Sequence, residues 1–324
     1  MADITPAYEL NPTGRFSDRA EEYDQYRPSY PAAAIDRILS HLTPAPMAVD
    51  CSMNCNRPTA ADIGAGTGIA ARLLADRGLQ VWAVEPNAAM RTTGQRSVQI
   101  QSSVQMQSSV QVQNSVQVQN SVQVQNSVQV QNSVEPHLTT PNSQPITFWD
   151  GTAEATQLPP ASMDVVTAFQ AFHWFHPDRA LAEFHRILKP TGRLAIVWNN
   201  RDRSDAFTAL YGKFMKQASP TPTLAERRDN PEPLYQSALF THTHHYAIAH
   251  TQSLDLAGLL GLAKSRSYVP LAGAAHDRLM TDLTQLYQQF ADDAGRVFIH
   301  YRTNLYLATP ISTPPIARVD SPAE

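Results

Sequence analysis

The sequence has little cysteine and no long apolar run. Its two cysteines among 324 residues, Cys51 and Cys55, exclude a disulfide framework. Because no histidine or aspartate ligand set lies near this C-x3-C pair, two reduced thiols in a linker are favoured over a metal site. No apolar stretch approaches the ~20 residues of a membrane-spanning helix, and the N-terminus lacks the basic start and apolar core of a signal peptide.

Clustered positive charge is also scarce. The net charge is −4, and the longest basic run is the adjacent pair Arg227 and Arg228. Nucleic-acid binding depends on clusters of lysine and arginine, so the composition argues against a nucleic-acid partner. Together these absences predict a cytoplasmic protein without a membrane or nucleic-acid partner, whereas the composition does not indicate an oligomeric state.

A hexapeptide repeat of the form SVQVQN occupies residues 97–134, and it contains no charged residue. Its apolar residues fall at even positions, which places them on one face of a strand. In a helix, successive repeats would drift by roughly 240° around the axis. The repeat therefore predicts an extended or disordered insert rather than a helix. Two roles are open: a low-complexity surface loop without chemistry, or a small β structure for interaction.

Outside this insert, short apolar strands alternate with amphipathic helices. The patterns predict strands at 60–63, 80–85, 146–149, 163–169 and 193–198, and helices at 31–42, 69–77, 87–94 and 178–188. This alternation predicts a parallel sheet with helices on both faces. The last third predicts two more strands, at 240–251 and 296–307, with helices at 253–265 and 275–294 between them. Residues 309–324 are predicted to form a disordered tail.

A glycine-rich turn, residues 61–68 (ADIGAGTG), follows the first strand directly. Glycines let the backbone approach a ligand without a Cβ clash. Glu85 lies at the end of the next strand, where an acidic side chain can accept both hydroxyls of a ribose. A dinucleotide fingerprint requires a third glycine where Ile69 stands, so the G-x-G-x-G spacing disfavours a nicotinamide dehydrogenase. The turn favours an adenosine cofactor without a pyrophosphate.

Several further motifs give the chain a family resemblance. They are residues 16–23 (FSDRAEEY) with 26–31 (YRPSYP), 150–154 (DGTAE) with 158–159 (LP), 170–175 (QAFHWF) and 265–270 (SRSYVP). With the glycine turn, they make the chain resemble the class I, type 11 S-adenosylmethionine-dependent methyltransferases, in a bacterial branch that acts on small molecules. The resemblance covers about residues 15–307, apart from the hexapeptide repeat and a few residues around 48–56.

The resemblance implies a specific α/β fold. We expect a doubly wound, mostly parallel, seven-stranded Rossmann-like sheet whose last strand is antiparallel. A single domain is expected over residues 1–308, with a helical N-terminal lid (14–42), a cofactor-binding core (57–199), and a cap with the final strands (200–308). The insert falls where relatives have the end of a helix and the third strand, so we expect it to leave from the sheet edge without disturbing the site.

The resemblance also implies a set of residues that bind S-adenosylmethionine. Glu85 is expected to hold the ribose, Met90 to pack near the adenine, Ala153 to contact the adenine through its backbone, and Gln170 to lie near the sulfonium. Relatives place aspartate where Thr152 stands, which makes Glu154 or Asp150 the candidate substitute. The full expected set is Asp62, Gly64, Ala65, Gly66, Thr67, Gly68, Glu85, Pro86, Met90, Ala153, Glu154 and Gln170.

His173 is the candidate catalytic residue, as a general base that follows the fourth strand. The alternative is that it forms a pocket wall with its aromatic neighbours. The expected substrate-pocket residues are Tyr23, Arg27, Tyr30, Trp174 and Tyr268. Arg27 can pair with a carboxylate, or it can stack on tyrosine rings as a clasp. His242, His244 and His245 suggest an exposed strand face rather than a metal site, and no metal is expected.

The expected function is methyl transfer from S-adenosylmethionine to a small-molecule acceptor, at an oxygen or a carboxylate. The alternative is a non-catalytic cofactor-binding protein that assembles through its repeat. Fold and cofactor motif do not specify the acceptor.

Overall fold

A seven-stranded sheet forms the centre of the protein. The computed structural model describes residues 8, 14, 16–42, 57–101, 103, 145–220 and 229–312, so Cys51 and Cys55 lie outside the described residues. The strands are β1 Thr59–Ile63, β2 Gln80–Val84, β3 Ile146–Trp149, β4 Met163–Phe169, β5 Leu188–Arg201, β6 Phe240–Leu254 and β7 Val297–Pro310. Their order is β3-β2-β1-β4-β5-β7-β6. The first five strands pair in parallel, and β7 is antiparallel to both β5 and β6, which confirms the expected fold class.

Helices cover both faces of this sheet. They are α1 Ala20–Tyr26, α2 Ala32–Leu39, α3 Ile69–Ala75, α4 88–101, α5 Pro177–Ile187, α6 Ala206–Ala218, α7 Glu232–Tyr235, α8 Leu256–Lys264 and α9 Ala274–Phe290. Successive strand residues point to opposite faces, so Val165 packs with α2 and α3 while Val166 packs with α5. A third apolar cluster joins α6, α8 and α9 to β7, and we call these three helices the cap.

The strand order reverses between β1 and β4, which are neighbours at the middle of the sheet. The connections that leave these two strands diverge towards different neighbours, and a crevice opens at their carboxyl ends. In open α/β sheets this crevice is where ligands bind. The glycine turn after β1 and the residues after β4, beginning with Gln170, both lie there.

Helix α4 extends further than the sequence pattern predicts. It begins after Asn87, whose side-chain Oδ1 accepts the Met90 N–H at 3.1 Å, and it is helical to residue 101. The prediction that the repeat is not helical is therefore wrong for residues 97–101. The reason is local: Val98 is buried in the core, and the Ser97 hydroxyl donates to Asp24 at 2.6 Å. Residue 103 is also helical, and the other repeat residues, 102 and from 104 onward, lie outside the described residues.

The chain also departs from the sequence prediction after the last predicted strand. Strand β7 continues to Pro310, where Thr309 pairs with Thr241 and Pro310 with Phe240 of β6. The prediction of a disordered tail is wrong for residues 309 and 310, because β6 is long enough to pair with them. Residues 313–324 lie outside the described residues.

Helix α6 was not predicted from the sequence. Asp205 caps it by accepting the Thr208 N–H at 2.7 Å.

Candidate active site

The glycine turn requires glycine for two separate reasons. Gly64 and Gly66 have φ of +67° and +60°, values that residues with a Cβ rarely adopt. A Cβ on Gly64 would lie 2.7 Å from Ala171 Cβ, and one on Gly66 would lie 3.2 Å from Met90 Cε. Both glycines border a cavity. Gly68 is the N-cap residue of α3, and a Cβ on it would lie 2.8 Å from the Phe148 ring.

The Glu85 carboxylate, just after β2, fixes the conformation of this turn. Its Oε2 accepts the Gly66 N–H at 2.9 Å, and its Oε1 accepts the Asn87 N–H at 2.9 Å. Burial raises the pKa of Glu85, although these two N–H groups act in the opposite direction. A carboxylate offers about four lone-pair sites, so each oxygen can still accept one more hydrogen bond from a ligand hydroxyl.

Asp62 places a second buried carboxylate beneath the turn. Its Oδ1 accepts the Thr167 hydroxyl at 2.8 Å, but its Oδ2 has no hydrogen-bond partner. Burial raises the pKa of Asp62 to about 7, against the effect of the Thr167 hydrogen bond. An unpartnered buried carboxylate oxygen costs free energy unless a donor satisfies it. It fits a ligand that carries an ammonium group.

A cavity of about 390 Å³ opens above the glycine turn. Eight residues of the expected cofactor set line it: Gly64, Gly66, Glu85, Pro86, Met90, Ala153, Glu154 and Gln170. Asp62 and Ala65 border a smaller adjoining space instead, and Thr67 and Gly68 line neither. Lining residues that the sequence reasoning did not select are Tyr8, Phe16, Thr152, Ala171, Phe175, His176 and Arg179.

The structure separates the two candidate substitutes for the aspartate that relatives place at Thr152. Asp150 is exposed and forms two 3.0 Å hydrogen bonds with Arg91. Glu154 lines the cavity, and its Oε1 accepts the His176 N–H at 2.9 Å. Only Glu154 of the two is therefore available to a ligand in this cavity.

A second cavity, of about 590 Å³, lies on the other side of Gln170. Four of the five expected substrate residues line it, namely Tyr23, Arg27, Trp174 and Tyr268, and so does His173. Tyr30 does not; its ring packs on Phe169 at 4.6 Å between centroids. The two cavities share Phe16, Tyr23, Gln170 and Trp174 in their walls. We call the first the cofactor cavity and the second the acceptor cavity.

Gln170 at their junction has an unusual backbone. Its φ of +53° lies in the left-handed region although it is not glycine, and such strain recurs at functional sites. Its N–H donates to the Val197 carbonyl at 2.8 Å, and its side-chain amide donates to the Asn199 carbonyl at 2.9 Å. These bonds to β5 hold the side chain at the place where the cavities meet.

The His173 ring accepts a hydrogen bond from a neighbour on β5. The Trp198 indole N–H donates to His173 Nδ1 at 3.2 Å. An indole is a donor only, so a neutral His173 carries its proton on Nε2. The single lone pair of the neutral ring is then already used by Trp198.

Arg27 forms the stacked clasp, one of the two arrangements that its sequence context left open. Its guanidinium stacks on the Tyr23 ring at 4.5 Å and donates to the Ser265 carbonyl at 3.0 Å, and it also lines the acceptor cavity. Burial, followed by the like charge of Arg266, lowers the pKa of Arg27 to about 10. The side chain therefore remains a cation at neutral pH.

Among the residues of the acceptor cavity that sequence reasoning missed are Trp198, Arg201 and Arg266. A signal for Arg201 existed, because polar residues (199–201, NNR) follow the apolar part of β5, at the carboxyl end of a parallel strand. Arg266 lies within the 265–270 motif, in which only Tyr268 was predicted to line the substrate pocket.

In the described part of the chain, no three histidine, cysteine, aspartate or glutamate side chains are grouped to bind a metal ion. His245 hydrogen-bonds Asn304 at 2.9 Å and stacks on Tyr306. None of the helices there has the length and apolar character to span a membrane.

Known proteins show the same fold and related sequences. A family model described as a methyltransferase domain matches residues 111–196. An uncharacterized methyltransferase of Mycobacterium tuberculosis (strain ATCC 25618 / H37Rv) is 29% identical over 258 residues, which are 78% of this chain and 76% of that protein. One of Schizosaccharomyces pombe is 35% identical over 104 residues, 30% of this chain and 41% of that protein. A solved structure from Anaeromyxobacter dehalogenans, assigned as a type II methyltransferase, has a TM-score of 0.53 and 20% identity, covering 88% of this chain and 98% of its own.

The sheet order with an antiparallel β7, the glycine turn and these similarities define an enzyme of the Rossmann-like methyltransferase fold. The chain is similar to known methyltransferases in fold and in sequence, and these similarities support a methyltransferase enzyme.

Proposed function

We propose that this chain binds S-adenosylmethionine in the cofactor cavity and methylates an oxygen or carboxylate of a small molecule in the acceptor cavity. The observation that supports this most directly is the shared wall of the two cavities at Gln170. When bound, S-adenosylmethionine supplies a methyl group that its sulfonium already activates. The task left to the protein is to hold and orient the two molecules.

The residues of the cofactor cavity fit this ligand. Glu85 has acceptor capacity left for ribose hydroxyls. Asp62 borders the smaller adjoining space, and its unpartnered Oδ2 suits the ammonium of the methionine part. Met90 and Pro86 provide apolar surface for the adenine, and Glu154 provides an acceptor near it. The ligand would thus satisfy the one Asp62 oxygen that the protein itself leaves without a donor.

His173 is proposed to donate a hydrogen bond to the acceptor through Nε2 rather than to act as a general base. The Trp198 hydrogen bond to Nδ1 supports this role, because it leaves the proton on Nε2. A carboxylate acceptor needs no base, since it is already ionised.

Nitrogen-15 NMR of the histidine rings tests this orientation without knowledge of the acceptor. We expect His173 in the wild type to be the tautomer protonated on Nε2. Replacing Trp198 with phenylalanine removes the donor and should allow both tautomers. His276 on α9 serves as the internal control, with unchanged signals. A wild-type His173 protonated on Nδ1 would contradict the proposed role.

The pH dependence of cofactor binding tests the role of Asp62. The ammonium pairs with the ionised carboxylate, whose pKa is about 7 in the free protein. Binding then lowers this pKa and releases a proton, so the affinity for S-adenosylhomocysteine should rise with pH up to about 7 and level off above it. Asp62→Asn should bind more weakly and lose this rise. Calorimetry at a series of pH values below and above 7 measures the affinity of the wild type and of the variant. An equal rise of affinity with pH in Asp62→Asn would exclude Asp62 as the cause of the rise.

A transfer assay separates the proposed enzyme from a non-catalytic binding protein that assembles through its repeat. The full chain is incubated with methyl-labelled S-adenosylmethionine and a panel of carboxylic acids and phenols. Label in at least one of these compounds is expected. Tight cofactor binding with no labelled product, together with self-association that is lost when residues 97–134 are deleted, would support the alternative instead.

A further inference from the structure

The acceptor cavity contains an unusual concentration of arginine. Five arginines line it: Arg27, Arg201, Arg203, Arg266 and Arg302. Among the described residues its wall has two aspartates, Asp202 and Asp229, and no glutamate. The five arginines come from the N-terminal lid, the carboxyl end of β5, the segment after α8, and β7. The fold therefore gathers positive charge at one place from elements far apart in sequence.

The two aspartates do not neutralise the inner part of this cavity. Asp202 accepts the Ser204 hydroxyl at 2.8 Å and lies 3.8 Å from Arg302. Asp229 accepts the Asn304 amide at 2.9 Å. Their charges thus fall at the Arg302 side of the cavity.

The three half-buried arginines of this cavity have no carboxylate partner among the described residues. Arg27, Arg201 and Arg266 take part in none of the ion pairs found there, although each is half-buried. Nε of Arg27, Nε of Arg266 and one Nη of Arg201 have no hydrogen-bond partner. Their neighbours are aromatic instead: Arg201 lies over the Tyr211 ring at 5.4 Å. Grouped cations withdrawn from water are unfavourable unless an anion joins them.

We propose that the methyl acceptor is an anion and that Arg201 and Arg266 bind its oxyanion group, a carboxylate or a phosphate. This inference rests on the proposed function, because it assigns the substrate class of the same site. A guanidinium presents a planar pair of donors that matches a carboxylate or phosphate. Arg201 belongs to the sheet and Arg266 follows the cap helix α8, so the anion joins two parts of the protein that each supply one cation.

Tyr268 lines the same cavity, and its pKa reflects the positive charge of these arginines. Burial raises the pKa of Tyr268, but Arg201, Arg266 and Arg27 outweigh burial and bring the pKa below its ordinary value. A positive field that stabilises a phenolate equally stabilises a bound oxyanion.

Matched pairs of acids and neutral analogues test the proposal in the full chain. The probes are benzoate with benzamide, succinate with succinamide, and phenyl phosphate with phenol, each added while thermal unfolding is followed. At least one anion should raise the melting temperature at millimolar concentration, and its neutral analogue should not. Stabilisation by phenyl phosphate alone identifies a phosphate acceptor, and stabilisation by benzoate or succinate identifies a carboxylate.

Variants locate the binding site. Arg201→Met and Arg266→Met keep much of the side-chain volume, and each should weaken binding of the stabilising anion at least about 10-fold. Arg201→Lys keeps the positive charge but loses the planar pair of N–H donors, so its affinity for the anion should lie between those of the wild type and Arg201→Met. Arg278→Met, at an exposed position of α9, is the control and should bind as the wild type does. The proposal is wrong if no anion stabilises the wild type, if the neutral analogues bind equally well, or if both methionine variants bind like the control.

A separate titration with S-adenosylhomocysteine distinguishes this inference from the proposed function. Cofactor binding without anion binding would overturn the inference alone. Anion binding without cofactor binding would leave the arginine site standing and would overturn the proposed function.

Discussion

Replacement of Glu85 by glutamine is expected to weaken the binding of S-adenosylhomocysteine at least about 100-fold. Both oxygens of Glu85 accept backbone N–H groups, from Gly66 and Asn87. An amide keeps one acceptor and turns its NH2 towards the other N–H, so a donor faces a donor. The variant also loses charge-assisted hydrogen bonds to the ribose, each worth about 1.5–3 kcal/mol. Isothermal calorimetry measures the change directly.

Glu21→Gln is the matched control for this substitution. Glu21 is exposed on α1 and is 3.4 Å from Arg96, so its replacement should leave cofactor affinity within about 2-fold. Circular dichroism of both variants separates lost binding from lost folding. A folded Glu85→Gln variant with wild-type affinity would show that Glu85 does not hold the ligand.

Replacement of Gly64 by alanine is expected to lower the free energy of unfolding by about 3 kcal/mol. The left-handed backbone costs an alanine about 1 kcal/mol. The added methyl group would also lie 2.7 Å from Ala171 Cβ in a tightly packed region, and such overpacking costs about 2 kcal/mol. Because Gly64 lines the cofactor cavity, the same shift should impair cofactor binding. Urea unfolding followed by circular dichroism measures the change.

Gly78 provides a control that isolates the backbone contribution. Its φ is +90°, yet a Cβ there would meet no atom within 4 Å. Gly78→Ala should therefore cost about 1 kcal/mol, the backbone contribution alone. Equal losses for the two variants would contradict the role assigned to close packing at Gly64.

The sheet was predictable because its signals are local. Short apolar segments marked the five parallel strands, alternation of apolar and polar residues marked β6 and β7, and the glycine turn with Glu85 marked where β1 and β2 end. The length of α4 was not predictable from the repeat pattern, since tertiary contacts of Val98 and Ser97 extend the helix into the repeat. Pairing with β6 likewise extends β7 into residues that resemble a disordered tail.

The acceptor cavity was less predictable because its charge is assembled from distant segments. Arg27, Arg201 and Arg266 are far apart in sequence, and no local pattern shows that one cavity unites them. The Trp198 hydrogen bond to His173 and the strained backbone of Gln170 also depend on tertiary geometry. By contrast, the sequence had named Glu154 and Asp150 as alternatives, and only their positions in the fold separate them.

Calorimetric titration of the full chain with S-adenosylhomocysteine and with NAD tests the central claim most directly. The two ligands share an adenosine but differ in the pyrophosphate that the G-x-G-x-G turn is not built to hold. We expect S-adenosylhomocysteine to bind with one site per chain and NAD to give no measurable heat of binding. Binding of NAD without binding of S-adenosylhomocysteine would contradict the assignment of this cavity to a methyl donor.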